Sequence, residues 1–203
     1  MTIETGPLVW ARYQEAKTAH ERQRILIAAR KALVTAPGVA PEMWQFYPPN
    51  DAGIAAAHIT AGIWATHQTA GQGRGLVHVP VNDDGRWRPN FGAACRLLFN
   101  EKHTGSEQVR SPIDTLADDS ISKRLAALSR AEEQDIAAGH ITSLVRLMCS
   151  TGKLISFNYD DLFWAIRDWS APDKHARTMS RWSRSYFHTQ RKEAATKSVA
   201  EEG

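Results

Sequence analysis

Three arginines near the C-terminal end of the chain are spaced so that they would share one side of a helix. Arg177, Arg181 and Arg184, the arginine row, follow i, i+4 and i+7 spacing. Because a guanidinium group binds phosphate through two parallel hydrogen bonds, such a row can meet successive phosphates of a polyanion. Other side chains of this segment fall on the opposite side, suited to the core: Met179, Trp182, Ser183 and Tyr186.

The positive charge of the chain is concentrated around the arginine row. The formal net charge is only +3 over 203 residues. Between residues 174 and 197, however, seven basic residues stand against one acidic residue, Glu193. Local basicity of this kind indicates a polyanionic partner. The alternative is a solvated helix face that offsets acidic neighbours such as Asp168 and Asp173.

Basic side chains also fall on the polar faces of other predicted helices. We therefore predict a nucleic-acid interface without sequence readout, in which each basic group contacts a phosphate. Removal of one such group should weaken binding to every sequence alike and lower the salt slope by about one unit. The candidate residues besides the arginine row are Lys123, Arg124, Arg130, Arg146, Arg24, Lys31 and Arg96.

No set of residues in the sequence points to catalysis or to a bound metal. His58 and His67 would lie on opposite faces of a helix, and the other histidines lack HxxH or HExxH spacing. Asp160 and Asp161 begin a predicted helix, where capping of free amides explains them. The glycine-rich run 71–75 matches neither a P-loop nor a dinucleotide-binding motif and is interpreted as flexible. We expect no cofactor and no enzymatic activity.

Helical periodicity recurs along the chain, whereas alternating strand patterns are nearly absent. Thr18 with Glu21 forms a capping-box pattern, and Asn90 is a further predicted N-cap. The predicted fold class is all-α, a helical bundle. The predicted helices cover about 7–17, 18–35, 51–66, 90–102, 118–131, 133–151, 158–169 and 172–188, with a short helical turn at 41–47.

One long stretch, 68–89, lacks helical periodicity and is rich in glycine and proline. Val77–Val79 and Arg86–Arg88 could pair as a hairpin, although Pro80 lies within the first arm. We predict a long, partly mobile surface loop here. It separates two packed helical subdomains that share a core, at 1–67 and 90–189, and the remaining 190–203 is predicted to be a frayed tail.

The composition is that of an ordinary globular protein, and we expect the protein to be cytoplasmic. Hydrophobic residues make up 42% of the chain and charged residues 23%, with 7 tryptophans that offer large apolar area to bury. We expect no membrane contact, because no run of about 18 apolar residues exists, and no secretory signal. Cys95 and Cys149 have no CxxC partner and are interpreted as buried, reduced thiols.

Several segments in the second half of the chain carry a resemblance to a known family. Asn90–Leu98 is similar to a Ser-Leu-Gly-x-Ala-Leu helix start, with Gly92 and Ala94 in place and Asn90-Phe91 instead of Ser-Leu. Further matching segments follow in the same order and spacing: Lys123–Ala131, Ile141–Leu147, Ile155–Leu162, Ile166–Trp169 and Arg177–Tyr186. Together they resemble the CasB family, the small subunit of the type I-E CRISPR Cascade complex.

This resemblance implies an all-helical subunit that binds nucleic acid and has no active site. It implies two copies of the protein packed within the complex, in contact with its backbone and large subunits and near the crRNA and the target and non-target DNA strands. The subunit would help to hold the displaced strand and stabilise the R-loop, while base pairing supplies the specificity.

Two other classes of protein are compatible with parts of the sequence. The first is a helical protein–protein adaptor without nucleic-acid contact, whose basic faces meet acidic protein surfaces. The second is a helix-turn-helix regulator, although no short glycine-containing turn joins two helices of suitable length. A salt titration of single-stranded DNA binding separates the adaptor from the nucleic-acid-binding subunit.

Overall fold

The computed structural model describes residues 8–35, 41–48, 51–71, 75–80, 89–103 and 119–188. Within these ranges the fold is all-α, as predicted. The tail predicted at 190–203 lies outside the described residues. The α-helices are α1 Val9–Glu15, α2 Ala19–Lys31, α3 Asp51–Ala70, α4 Phe91–His103, α5 Ser120–Ser129, α6 Gln134–Cys149, α7 Tyr159–Arg167 and α8 Pro172–His188, and a 3-10 helix spans Pro41–Phe46 between α2 and α3.

Side-chain caps fix where several helices begin. The Thr18 hydroxyl accepts a hydrogen bond from the Glu21 amide at 3.1 Å, and the Glu21 carboxylate accepts from the Lys17 amide, also at 3.1 Å. The Asn90 side chain likewise accepts from the Ala93 amide at 3.0 Å. These bonds satisfy amides that the first helical turn leaves without an internal partner. The predicted N-caps of α2 and α4 are therefore confirmed.

Among the described residues, a single hydrophobic cluster connects the first and second halves of the chain. It includes Leu26 of α2, Trp64 of α3, Leu144 of α6 and Leu162 of α7. The long helix α3 makes this connection, because it packs against α2 on one side and against α6 and α7 on the other. The two halves thus share one core, and their division into subdomains at 1–67 and 90–189 stays a prediction.

The described part of the 68–89 stretch has more contacts with the rest of the protein than a surface loop would have. Helix α3 continues to Ala70, and the Gln68 side chain bonds to the Gly75 carbonyl at 3.1 Å and to the Val77 amide at 3.2 Å. Val77 is fully buried and His78 is 5% exposed. The prediction of a surface loop is therefore wrong for Val77 and His78, whereas Gly75, Leu76 and Pro80 are exposed; residues 81–88 lie outside the described ranges.

The strand-like pairing of this segment also differs from the predicted hairpin. The Phe157 amide donates to the Val77 carbonyl and the Val79 amide donates to the Phe157 carbonyl, both at 3.1 Å, as in a parallel bridge. The second arm of the predicted hairpin, Arg86–Arg88, lies outside the described residues. The observed bridge joins the segment after α3 to the segment before α7, so it fixes the start of the helix that carries Asp160 and Asp161.

Helices α4 and α8 cross at unusually close range. A Cβ atom added at Gly92 would lie 2.6 Å from both the Cα and the carbonyl carbon of Trp182. Only glycine lets the two backbones approach this closely. Around this crossing, Phe91 packs on Trp182 with ring centroids 5.1 Å apart, and the Asn90 side-chain amide donates to the Ser185 hydroxyl at 2.8 Å.

None of the helices in the described ranges combines the length and the apolar character that a membrane span requires.

Candidate nucleic-acid interface

The arginine row lies on the outer face of α8. Arg177, Arg181 and Arg184 are all exposed, whereas Met179, Trp182 and Tyr186 on the inner face are buried and Ser183 is intermediate. This helix is therefore amphipathic, with the arginines outside and the apolar side chains inside, as their spacing predicted. The contacts of the inner face with α4 hold the row in a fixed orientation toward solvent.

The three arginines of the row differ in their ionic partners. Arg181 forms an ion pair with Asp161 of α7, although 48% of its side chain remains exposed. Arg177 and Arg184 form no ion pair with any residue that the structure describes. Within the described part of the chain, two guanidinium groups of the row thus face solvent without a carboxylate partner, and the third is partly neutralised.

Asp160 and Asp161 have a different role from the predicted capping. The side chain that caps α7 is that of Asn158, which accepts from the Asp161 amide at 2.7 Å. The Asp160 carboxylate accepts the indole N–H of Trp10 at 2.7 Å, and the Asp161 carboxylate accepts that of Trp182 at 3.2 Å. The two carboxylates therefore bind tryptophans of α1 and α8 to the start of α7. The capping interpretation is wrong for these side chains.

The basic residues of α5 lie on a helix that packs against α8. Lys123 and Arg130 are exposed, and Arg124 is partly buried. Arg130 lines a cleft of about 580 Å³ between the end of α5 and the start of α8, together with His175. Lys123, Arg124 and Arg130 therefore lie on or directly after a helix adjacent to the one that carries the arginine row.

The remaining candidates are distributed over other parts of the molecule. Arg146 is exposed on α6, and Arg24 is exposed on α2. Lys31 forms an ion pair with Glu42 of the 3-10 helix. Arg24 and Lys31 thus lie on a helix whose main contacts are with α1, α3 and the 3-10 helix and not with α8.

Arg96 is not a surface residue. It is 5% exposed, and its guanidinium carbon lies 5.2 Å from the centroid of the Phe99 ring. The other residues of α4 from Phe91 to Phe99 are buried, except Leu97. In this position Arg96 cannot reach a phosphate, so the prediction that placed it at the interface is wrong.

The described histidines that are buried have protein partners. His58 hydrogen bonds to the Tyr47 hydroxyl at 2.5 Å and to the Thr35 carbonyl at 2.8 Å. His67 hydrogen bonds to the Tyr159 hydroxyl at 2.9 Å. In the ranges that the structure covers, no three side chains of His, Cys, Asp or Glu come together as a metal site would require.

Two residues near the arginine row were not predicted to belong to this surface. Asp161 is the carboxylate that binds Arg181, from a helix 20 residues earlier in the chain. Phe187 is an aromatic residue that is 47% exposed, three residues after Arg184. The position of Phe187 off the buried stripe of α8 was visible in the helical periodicity, whereas the contact of Asp161 was not.

Comparisons with known proteins are consistent with this architecture. The family model described as CRISPR-associated protein Cse2 matches residues 9–187. No curated protein matches the chain. Among solved structures, CasB from Thermobifida fusca is similar with a TM-score of 0.61 at 19% identity, covering 88% of this chain and 94% of its own.

Two further structures have the same fold. CasB from M. ruber is similar with a TM-score of 0.61 at 20% identity, covering 92% of this chain and 95% of its own. A CRISPR-associated protein of the Cse2 family from Thermus thermophilus has a TM-score of 0.56 at 21% identity, covering 89% of this chain and 94% of its own. These structures agree in fold, and the family model spans most of the chain. The chain belongs to the CRISPR-associated protein Cse2 family.

Proposed function

We propose that this protein is a non-catalytic small subunit of a type I-E CRISPR Cascade complex that binds nucleic acid without sequence specificity. The observation that carries the proposal is the exposure of Arg177 and Arg184, which have no ion-pair partner among the described residues, on a helix whose other face is packed. Family membership supports the assignment to CRISPR defence. The subunit would stabilise the R-loop by holding phosphates of the displaced strand and of the guide–target duplex.

The proposed partners follow from the same assignment. They are the crRNA, the target and non-target DNA strands, the backbone and large subunits of Cascade, and a second copy of this chain. Base pairing between guide and target would supply the sequence specificity, and the arginine row would supply charge. The basic residues of α5, which packs against α8, extend the proposed interface: Lys123, Arg124 and Arg130.

The double variant Arg177→Ala/Arg184→Ala tests this function. Each cation that contacts a phosphate of a single strand contributes about 0.7 to the slope of log affinity against log salt concentration. We therefore expect the variant to decrease the magnitude of this slope for a single-stranded oligonucleotide by about 1.4. The affinity at low salt should fall about tenfold, equally for all sequences. Fluorescence anisotropy at several salt concentrations measures both quantities.

A matched control removes the same charge elsewhere. Arg12 is paired with Glu15 at 3.8 Å, and Lys153 is paired with Glu101 at 2.9 Å. The variant Arg12→Ala/Lys153→Ala should leave the salt slope near that of the wild type, because both cations already have carboxylate partners. If both double variants lowered affinity and slope equally, net charge and not the arginine row would govern binding.

The ion pair between Arg181 and Asp161 yields a second prediction. Asp161→Asn removes the carboxylate that competes with phosphate for Arg181, while the Asn oxygen can still accept the Trp182 indole N–H. We expect affinity for a single-stranded oligonucleotide to rise about threefold, in the range that one exposed ion pair is worth. Asp173→Asn removes one negative charge from the exposed first turn of α8 and should raise affinity less. An equal rise in both variants would assign the effect to net charge.

The second candidate function is a helical adaptor without nucleic-acid contact. Exposed apolar side chains favour protein contacts: Val34, in the turn that follows α2, is 83% exposed and Trp44 of the 3-10 helix is 65% exposed. An adaptor would bind no single-stranded DNA even at low salt, whereas the proposed subunit would.

A further inference from the structure

An exposed aromatic side chain lies at the end of the arginine row. Phe187 is 47% exposed and follows Arg184 by three residues, which is about 4.5 Å along the helix axis. Its ring packs edge-on against the buried Tyr186, with centroids 4.9 Å apart and an interplanar angle of 81°. The ring is therefore held against the protein while about half of the side chain faces solvent.

The other large exposed aromatic side chains in the described ranges have different surroundings. Trp164 is 38% exposed, but the Arg167 guanidinium carbon lies 3.9 Å from its ring centroid and Arg167 is itself bound to Asp168. Trp44 lies on the 3-10 helix, where Lys31 is paired with Glu42. Phe187, by contrast, is close to Arg184, whose guanidinium group has no carboxylate partner in the described part of the chain. An exposed aromatic ring beside a cation without a carboxylate partner can contact a base and a phosphate of the same strand at once.

We propose that Phe187 stacks on an unpaired base of the strand whose phosphates contact Arg184 and Arg177. This inference rests on the proposed binding of nucleic acid, and it adds a base-contacting residue and a preference for single strands. Inside a duplex the base faces are already stacked on one another, so an aromatic side chain can stack on a base only where the strand is single or the base is extruded. Stacking tolerates every base, so the contact adds affinity without sequence readout.

The variant Phe187→Ala, in the full chain, tests the proposal with two oligonucleotides of equal length and charge. One is single-stranded oligo-dT, and the other carries abasic sugars in place of the bases. We expect Phe187→Ala to weaken binding of oligo-dT about five- to tenfold, which is the low end of the contribution of one aromatic–base stack. Binding of the abasic strand should not change, because that strand has no base on which Phe187 could stack. The salt slope should not change, because the substitution removes no charge.

Two further variants separate stacking from general apolar contact. Phe187→Trp retains a stacking surface and should keep the affinity for oligo-dT near that of the wild type. Ile136 is an apolar residue on α6 with a similar exposure of 49%, so Ile136→Ala is the matched control and should have no effect on either oligonucleotide. Circular dichroism of each variant verifies that the helices remain folded.

The outcomes distinguish failure of this proposal from failure of the proposed function. If the wild type binds both oligonucleotides with a salt-dependent affinity and Phe187→Ala behaves like the wild type, the stacking role is wrong and the arginine row stands. An equal loss on oligo-dT and the abasic strand would also overturn stacking. If the wild type binds neither oligonucleotide even at low salt, both proposals fail.

Discussion

Replacing Gly92 with alanine should lower the free energy of unfolding by about 3 kcal/mol, the upper part of the range for overpacking a well-packed site. The added Cβ would lie 2.6 Å from two backbone atoms of Trp182, where neither partner has a rotamer to change. The helices α4 and α8 would have to separate, and the packing of Phe91 on Trp182 would be weakened with them. Urea denaturation followed by tryptophan fluorescence measures the loss.

Gly139 provides the control for this substitution. It lies in α6 and has no atom within 4 Å of an added Cβ. Gly139→Ala should stabilise the protein by about 0.5–1 kcal/mol, because alanine has the higher helix propensity. If Gly92→Ala were as stable as the wild type, the close crossing of α4 and α8 would be incorrect, and with it the orientation of the arginine row.

The outward face of α8 could be predicted because its signal is local. The spacing of Met179, Trp182 and Tyr186 within one helix determines which side is buried, and the arginine row lies on the other side. The N-caps are equally local, since Asn90 and the amide that it caps are three residues apart. Periodicity and capping require no knowledge of which helices are neighbours.

The errors concern contacts between residues far apart in the chain. Asp160 receives the Trp10 indole N–H across 150 residues, and Asp161 binds Arg181 across 20. A helix-start aspartate has the same local pattern whether it caps amides or binds a distant tryptophan. Local pattern therefore could not distinguish these roles, nor show which arginine of the row is paired with a carboxylate.

Arg96 is an error of a different kind, because the local pattern around it does indicate burial. Between Phe91 and Phe99 it is the single charged residue, so the segment has no polar face on which an arginine would be expected outside. That composition is typical of a helix buried nearly all round, and α4 packs against both α6 and α8. Ile136 shows the reverse case, since it is an apolar residue of α6 that is 49% exposed.

Acidification from pH 7 to pH 5 should destabilise the protein, with about 2 kcal/mol of the loss arising at His67. Burial lowers the pKa of His67 to about 4 from its ordinary value of 6.5, and a hydrogen bond with the backbone of Ile155 acts weakly in the opposite direction. Between these two pKa values the unfolded chain binds a proton that the folded protein does not. The stabilisation is therefore complete above pH 6.5 and is lost as the pH falls toward 4.

His67→Gln isolates this contribution, because glutamine does not titrate and can still accept a hydrogen bond from the Tyr159 hydroxyl. Its unfolding free energy should fall less steeply between pH 7 and pH 5 than that of the wild type, a window in which most carboxylates stay ionised. A residual slope should come from His78, whose pKa is also lowered by burial, with Asp160 opposing the shift. If the unfolding free energy of His67→Gln depended on pH as steeply as that of the wild type, His67 would be accessible to protons in the folded protein. The contact of α3 with Tyr159 at the start of α7 would then open below pH 7.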